Sequence, residues 1–480
     1  MRKLLAAVAA LALLVPSTAQ AQDGRAALDG VAKALGATGL TSLTYAGVGV
    51  NFAVGQSMAP GQPWPRFNVK SYTRSVNYDT ASLRDELVRT QAEDPPRGGG
   101  GQPIRGELRQ TFALSGQYAW NVVMGNPVPA PIALADRQLQ LWATPHGVVK
   151  AAAALGATRY GRTIVFAVPD RFRVRAHLDD HLFVERVEAV LAHPVLGDMA
   201  VELTYADYKD FGGVKFPTRI KQTSGGFPVL DLTVSDVRPN AAADIAAPEP
   251  VRQTAGYYAK VVAEKAADGV WYLAGGSHHS VAIEMKDYVI VVEAPLNDER
   301  AVATLAEVER LVPGKPIRYV VNSHHHFDHA GGVRAAAGWG AIIMTHEVNR
   351  AYFERALAAP ATVGPDYLAR AGRRIARVEG VRTQRTLTDG TRTVEVLHLS
   401  GSLHAEGLLV VYLPQEKLLI EADAFTPGPA GAAPPGPPNP HSVHLADAIA
   451  RSGIAVERLL PLHGRIVPLS ELRRAVGRPN

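Results

Sequence analysis

VNSHHHFDHAGG, residues Val321 to Gly332, decides how the carboxy-terminal half of the chain is read. It follows Ile317–Val321 (IRYVV), a short segment rich in β-branched residues, which predicts a buried strand. Alternate side chains leave an extended segment on the same side, so His324 and His326 project together and His325 points the other way. Past one turn, Asp328 and His329 can face a second position a few ångströms away. Gly331 and Gly332 allow the close turn needed before a helix begins beneath the site.

Three further groups join this cluster. His404 lies in the loop SGSLHAEG, Asp423 follows the strand KLLIEAD at its carboxyl end, and His463 follows LLPL in the same way. The mouths of strands are where α/β architectures place their sites. Five histidines and two aspartates are too many for one tetrahedral ion and suit two ions sharing a carboxylate. Twelve of the 16 histidines lie at or after His278, and the chain has 0 cysteines, so any metal must be held by His, Asp or Glu. Disulfides and a cysteine nucleophile are excluded.

The HxHxDH pattern after a buried strand, followed by His, Asp and His at later strand ends, resembles the metallo-β-lactamase-fold hydrolase superfamily. The resemblance runs from about Tyr257 to the C-terminus. It implies an αββα sandwich in which His324, His326 and His404 hold one metal and Asp328, His329 and His463 the second. Asp423 matches the bridging carboxylate of glyoxalase-II-like and lactonase-like members; zinc lactamases commonly have Cys or Ser there, which argues against a dedicated lactamase. Where the superfamily often has Asp at the end of an early strand, VVEAPL offers Glu293. The implied activity is dinuclear zinc hydrolysis of an ester, lactone, thioester or lactam by a metal-bridging hydroxide, with Asp328 and Asp423 the catalytic carboxylates and two Zn²⁺ per chain. Iron is the alternative metal, since persulfide dioxygenases resemble this fold and hold iron with two histidines and a carboxylate. A third reading is a non-catalytic binder, against which the intact ligand set argues.

Other polar residues have plainer readings. His278 and His279, in SHHS at 277–280, overhang the site by analogy and either meet substrate or decorate a loop. His398 is read as a strand-face residue, His441 and His444 as helix caps or surface groups, and Glu406 as a loop residue rather than a general base. His146, His177, His181 and His193 look incidental.

Upstream of the motif the chain changes character. The stretch Asn240–Pro250 (NAAADIAAPEP) reads as an exposed linker, giving a β-rich domain over 22–240, a linker over 241–256 and the sandwich over 257–480, an α+β protein overall. The β-rich part shows alternating strands such as Leu43–Val54, Phe172–Ala176 and Met199–Tyr205, with helices expected at Arg25–Gly36, Thr80–Gln91 and Ala135–Ala154. Pro95–Gly106 (PPRGGGGQPIRG) reads as a flexible loop, and Pro427–Pro440 as a surface loop. Ala206–Val234 resembles the repeating hairpins of periplasmic lipoprotein-carrier half-barrels.

The first residues, MRKLLAAVAALALLVPSTAQAQ, have the basic start, apolar run and small-x-small triplet of a secretory leader, with cleavage expected after Ala21. The apolar run falls short of the roughly 20 residues a spanning helix needs, so the mature chain is expected beyond the inner membrane, periplasmic or secreted, without a stable span. At 480 residues, 47% hydrophobic and 20% charged, the chain has globular composition. A net charge of +5, dispersed along the sequence, gives no nucleic-acid footprint. The expected partner is a small-molecule substrate.

Overall fold

The computed structural model describes residues 28–253, 259–372, 376–431 and 436–478. The leader 1–21 and the end of the expected linker lie outside them. Among the described residues no helix is long and apolar enough to cross a membrane.

The amino-terminal half is one long antiparallel sheet. Its strands run from Asn126–Pro129 at one edge, through Ser42–Phe52 and Phe227–Pro239 in the middle, to Thr158–Tyr160 at the other. Period-two burial shows why these segments form strands: in Phe172–Leu178, residues Phe172, Val174, Ala176 and Leu178 are buried and those between them are not. The buried face closes over helical residues, with Val31, Leu35, Leu139 and Val148 in the same core as Phe172 and Phe216.

Four expectations for this half are corrected. Thr80–Gln91 is not a helix: Ser82–Gln91 is a strand paired with Arg66–Asn77 and Leu108–Ser115. Its alternation is hidden in the sequence because two inward positions are charged. Asp85 is buried as a two-pronged ion pair with Arg74, both contacts 2.6 Å, and the Arg89 guanidinium lies 4.2 Å from the centre of the Phe67 ring. Ala135–Ala154 is two helices, Leu134–Trp142 and Pro145–Leu155, because Thr144 caps the second by accepting from Gly147 N and Pro145 starts it. The 240–250 stretch is not an exposed linker, since Ile245, Ala247 and Val251 bury against Ala113 and Trp120. The 95–106 loop is not free either: the Gln102 amide is buried and donates to the carbonyls of Arg97 and Gly99.

The carboxy-terminal half is an αββα sandwich. One sheet, from Val262–Ala267 to Val378–Val381, contains the parallel neighbours Val289–Val292, Ile317–Val321 and Ile342–His346. The other runs from Gln384–Thr388 to Val467–Pro468. The sheets share a core that includes Ile290, Val321, Met344, Val396, Val411 and Ile420. The outer face of the first is covered by helices Asp298–Leu311, Val333–Trp339 and Glu347–Ala358, and that of the second by Pro440–Ser452 and Leu469–Ala475. Strands buried on both faces explain the continuous apolar runs VIVV and LVVYL.

The two halves meet at the histidine-rich loop. The Phe327 ring lies beside Trp64 and His193 of the β-rich domain, with centroids 6.1 and 4.5 Å away. Gly55 has φ +73°, and a Cβ there would fall 2.2 Å from that ring, so only glycine fits. Elsewhere Asp198 accepts from the Thr362 backbone and hydroxyl.

Candidate metal centre

Strand Ile317–Val321 ends in a loop pinned from both sides. Asn322 N donates to Met344 O and Leu409 N donates to Ser323 O, each at 2.8 Å, tying the loop to both sheets. Parallel pairing sets Val292 beside Val321, which brings Glu293 under the loop. Glu293 is fully buried and accepts from the Asn322 side-chain amide at 2.8 Å, so the longer side chain still supports the loop.

Four donor atoms converge from three loops: His324 Nε2, His326 Nδ1, His404 Nε2 and an Asp423 oxygen lie within 4.8 Å of one another. His324 Nε2 is 2.9 Å from His326 Nδ1 and 3.2 Å from His404 Nε2, and Asp423 Oδ2 is 2.9 Å from His404 Nε2. Zinc bonded at about 2.0–2.1 Å in a tetrahedron requires donors roughly 3.3 Å apart, close to this spacing. A second group joins His278, His329 and His463. Asp423 spans the two: Oδ2 lies 3.0 Å from His329 Nε2, and Oδ1 2.7 Å from His463 Nε2.

The outer hydrogen bonds show what these atoms are for. His326 Nε2 donates to the Ser57 carbonyl at 2.8 Å, and His463 Nδ1 to the Ser277 carbonyl at 3.1 Å. A neutral ring with one nitrogen protonated presents a lone pair on the other. Lone pairs therefore face lone pairs and a carboxylate, an arrangement that needs a cation or extra protons. The electrostatics agree: burial opposes charging of His329, yet Asp423, Glu293 and Asp328 hold it well above the usual imidazole range. Burial likewise opposes ionisation of Asp423, but His329 and His404 keep it well below the usual carboxylate range. Burial lowers His324 to about 3, so it is neutral and able to ligate. The donor set fits two cations.

Asp423 reaches its place through a tight turn. It has φ +59°, a left-handed conformation that Asp tolerates better than most residues. The preceding Glu421 holds the turn, its Oε2 accepting from Ala424 N and Phe425 N at 3.1 Å. Burial raises Glu421 to about 8.

Asp328 stands apart from this core. Its Oδ1 accepts from Gln56 Nε2 at 2.8 Å and its Oδ2 faces His278 Nε2 at 3.3 Å. The geometric group at the second position therefore contains His278, where the sequence reading had Asp328. The SHHS hairpin carries His278 there because His279 is anchored, its N to Leu462 O at 2.9 Å and its Nε2 to Gly464 O at 3.1 Å. His441 is neither cap nor surface group. It is buried with its ring 5.5 Å from His404, and Asn439 caps the helix. Gln56 and Ser57 had no signal in the sequence, being ordinary residues 272 and 269 positions from their partners Asp328 and His326.

A cleft of about 370 Å³ opens on Asp423, walled by Phe425, Pro437, Pro438 and, from the β-rich domain, Pro103 and Arg105. Asp423 is the member of the donor groups that lines it, and Arg105 puts one cation in its wall.

Residues 273–465 match the family model described as the metallo-beta-lactamase superfamily. The carboxy-terminal domain is thus a member of that superfamily, whose members are generally metal-dependent hydrolases. Among solved structures, a metallo-beta-lactamase from Pontibacter korlensis is 20% identical, covering 45% of this chain and 98% of its own, with a TM-score of 0.35. One from Hirschia baltica is 22% identical over 46% of this chain and 99% of its own, with a TM-score of 0.34. No curated protein matches the chain.

Proposed function

We propose that this protein is an exported dinuclear zinc hydrolase acting on a small molecule with an ester, lactone, thioester or lactam bond. One observation carries the reading: the two oxygens of Asp423 lie 2.9 Å from His404 and 2.7 Å from His463, so one carboxylate serves both donor groups. His324, His326 and His404 would hold one ion, and His329 and His463, with His278 or Asp328, would hold the other. Two bound divalent ions supply an acidified water and a Lewis acid for the developing oxyanion.

The chain's own residues do the rest. Asp423 would link the two donor groups, Asp328 accepts a hydrogen bond from Gln56 at the site's edge, and the cleft of Phe425 and the prolines is where the substrate would lie. The apolar leader and the absence of cysteine support a periplasmic or secreted location.

The test is elemental analysis of the mature protein, followed by a screen of model lactones, esters, thioesters and a chromogenic cephalosporin. About two zinc ions per chain with turnover of one class is the expected result. A single iron with oxygen consumption on a persulfide would replace the reading with a dioxygenase, and a folded protein without metal would leave a binder.

A further inference from the structure

We propose that Gln56, together with the Ser57 carbonyl, positions the metal ligands, so that the β-rich domain completes the catalytic site. The inference rests on the metal-centre reading above. Two loops of that domain, 53–62 and 97–102, grip the two loops that carry the histidines. Beside Phe327, its backbone N donates to Gly55 O at 3.3 Å; beside His404, Gly98 N donates to Leu403 O and Glu406 N to Met58 O, both at 2.8 Å. The Ser57 hydroxyl meets His325 Nε2 at 3.0 Å in a buried contact.

One contact ends on a member of the first donor group and another on Asp328, beside the second, which mere domain packing does not require. The Ser57 carbonyl can only accept, so its 2.8 Å bond to His326 places the ring hydrogen on Nε2 and turns the Nδ1 lone pair to His324 and the first position. Gln56 Nε2 occupies Asp328 Oδ1 at 2.8 Å, leaving Oδ2 aimed at His278 and the second position. Gln56 is in turn locked by the glycine run: its Oε1 accepts from Gly100 N at 3.1 Å and its carbonyl from Gly99 N at 2.9 Å. A Cβ on Gly99 would lie 1.9 Å from Gln56 Oε1 and 3.0 Å from His326 Cε1, so at this one position the backbone passes close to both groups and a side chain would displace the Gln56 amide. The glycine-rich stretch is thereby part of the site's wall, and its neighbour Arg105 reaches the substrate cleft.

The experiment uses the full-length protein, stripped of metal and titrated with zinc against a chelator, as wild type, Gln56→Leu and Gln56→Glu. Gln56→Leu removes both contacts of the amide. Gln56→Glu keeps an acceptor for Gly100 N, and so the loop, but loses the donor to Asp328. Both variants are expected to bind one zinc about 10–100-fold more weakly, with kcat reduced, KM nearly unchanged and the melting temperature of the metal-free protein as in wild type. Wild-type zinc affinity in Gln56→Glu would overturn the proposal, whether or not Gln56→Leu is weakened, since the effect would then belong to loop packing. A wild type that takes up no zinc would overturn the metal-centre reading instead.

Discussion

Asp423 is the residue that touches both donor groups. Asp423→Ala is expected to reduce bound metal and abolish hydrolysis while circular dichroism stays native; undiminished turnover would remove its bridging role. His278→Ala separates the two descriptions of the second position. If His278 ligates, zinc affinity there falls about tenfold or more, the scale of a lost partner in a metal site; unchanged affinity assigns the position to Asp328. A third residue bears on stability. His146 is buried under the Phe216 ring, its Nε2 3.2 Å from the Leu35 carbonyl, and burial lowers it to about 4. The unfolded chain then binds a proton near pH 6.5 that the folded chain refuses until about pH 4, so stability is full above 6.5 and declines as pH falls through that window. The whole loss is about 3 kcal/mol. Urea melts at pH 7 and pH 4.5 should show His146→Gln losing less on acidification than wild type; equal losses would count against this origin.

At the scale of elements, the site depends on how closely the strand-loop-helix unit can fold back. Gly331 sits in the close turn that the sequence predicts, with a φ of −61° that is ordinary for any residue. It is glycine for lack of room, since a Cβ there would lie 1.9 Å from Leu296 O. Gly331→Ala should therefore destabilise the protein by about 1–3 kcal/mol, the usual cost of overpacking, and loosen His329 two residues before it. A melting curve superimposable on wild type would show that the turn yields freely. The strand that leads into the motif was legible because Ile317, Val320 and Val321 are apolar and β-branched; Ile317–Val321 stands where the sequence put it. Ser82–Gln91 was not, because an Arg74–Asp85 pair inside the sheet makes the inward positions look polar.

For the whole molecule the question is whether the sandwich is sufficient. Its cores between the sheets and under its helices draw almost wholly on its own residues, Val195 being a rare contribution from the β-rich half. A fragment from Val251 onward should therefore fold. It would lack the partners of His326 and Asp328 and expose Phe327, so we expect less than the full metal complement and a tendency to aggregate. A fragment holding two tightly bound zinc ions would show that the interface is dispensable.

The sequence by itself pointed to the sandwich through its resemblance to the metallo-β-lactamase-fold superfamily, and to most of the residues that converge at its mouth through HxHxDH and the later strand ends, whose local spacing is set by strand period and turn chemistry. It also carried the β-rich character of the first half, through alternation. Only the tertiary structure decided which oxygen or ring nitrogen faces which position, that His278 joins the second group, and that Gln56 and Ser57 reach across from another domain. Those are contacts between residues far apart in the chain. No local periodicity encodes them; they follow from two folded surfaces meeting at Phe327.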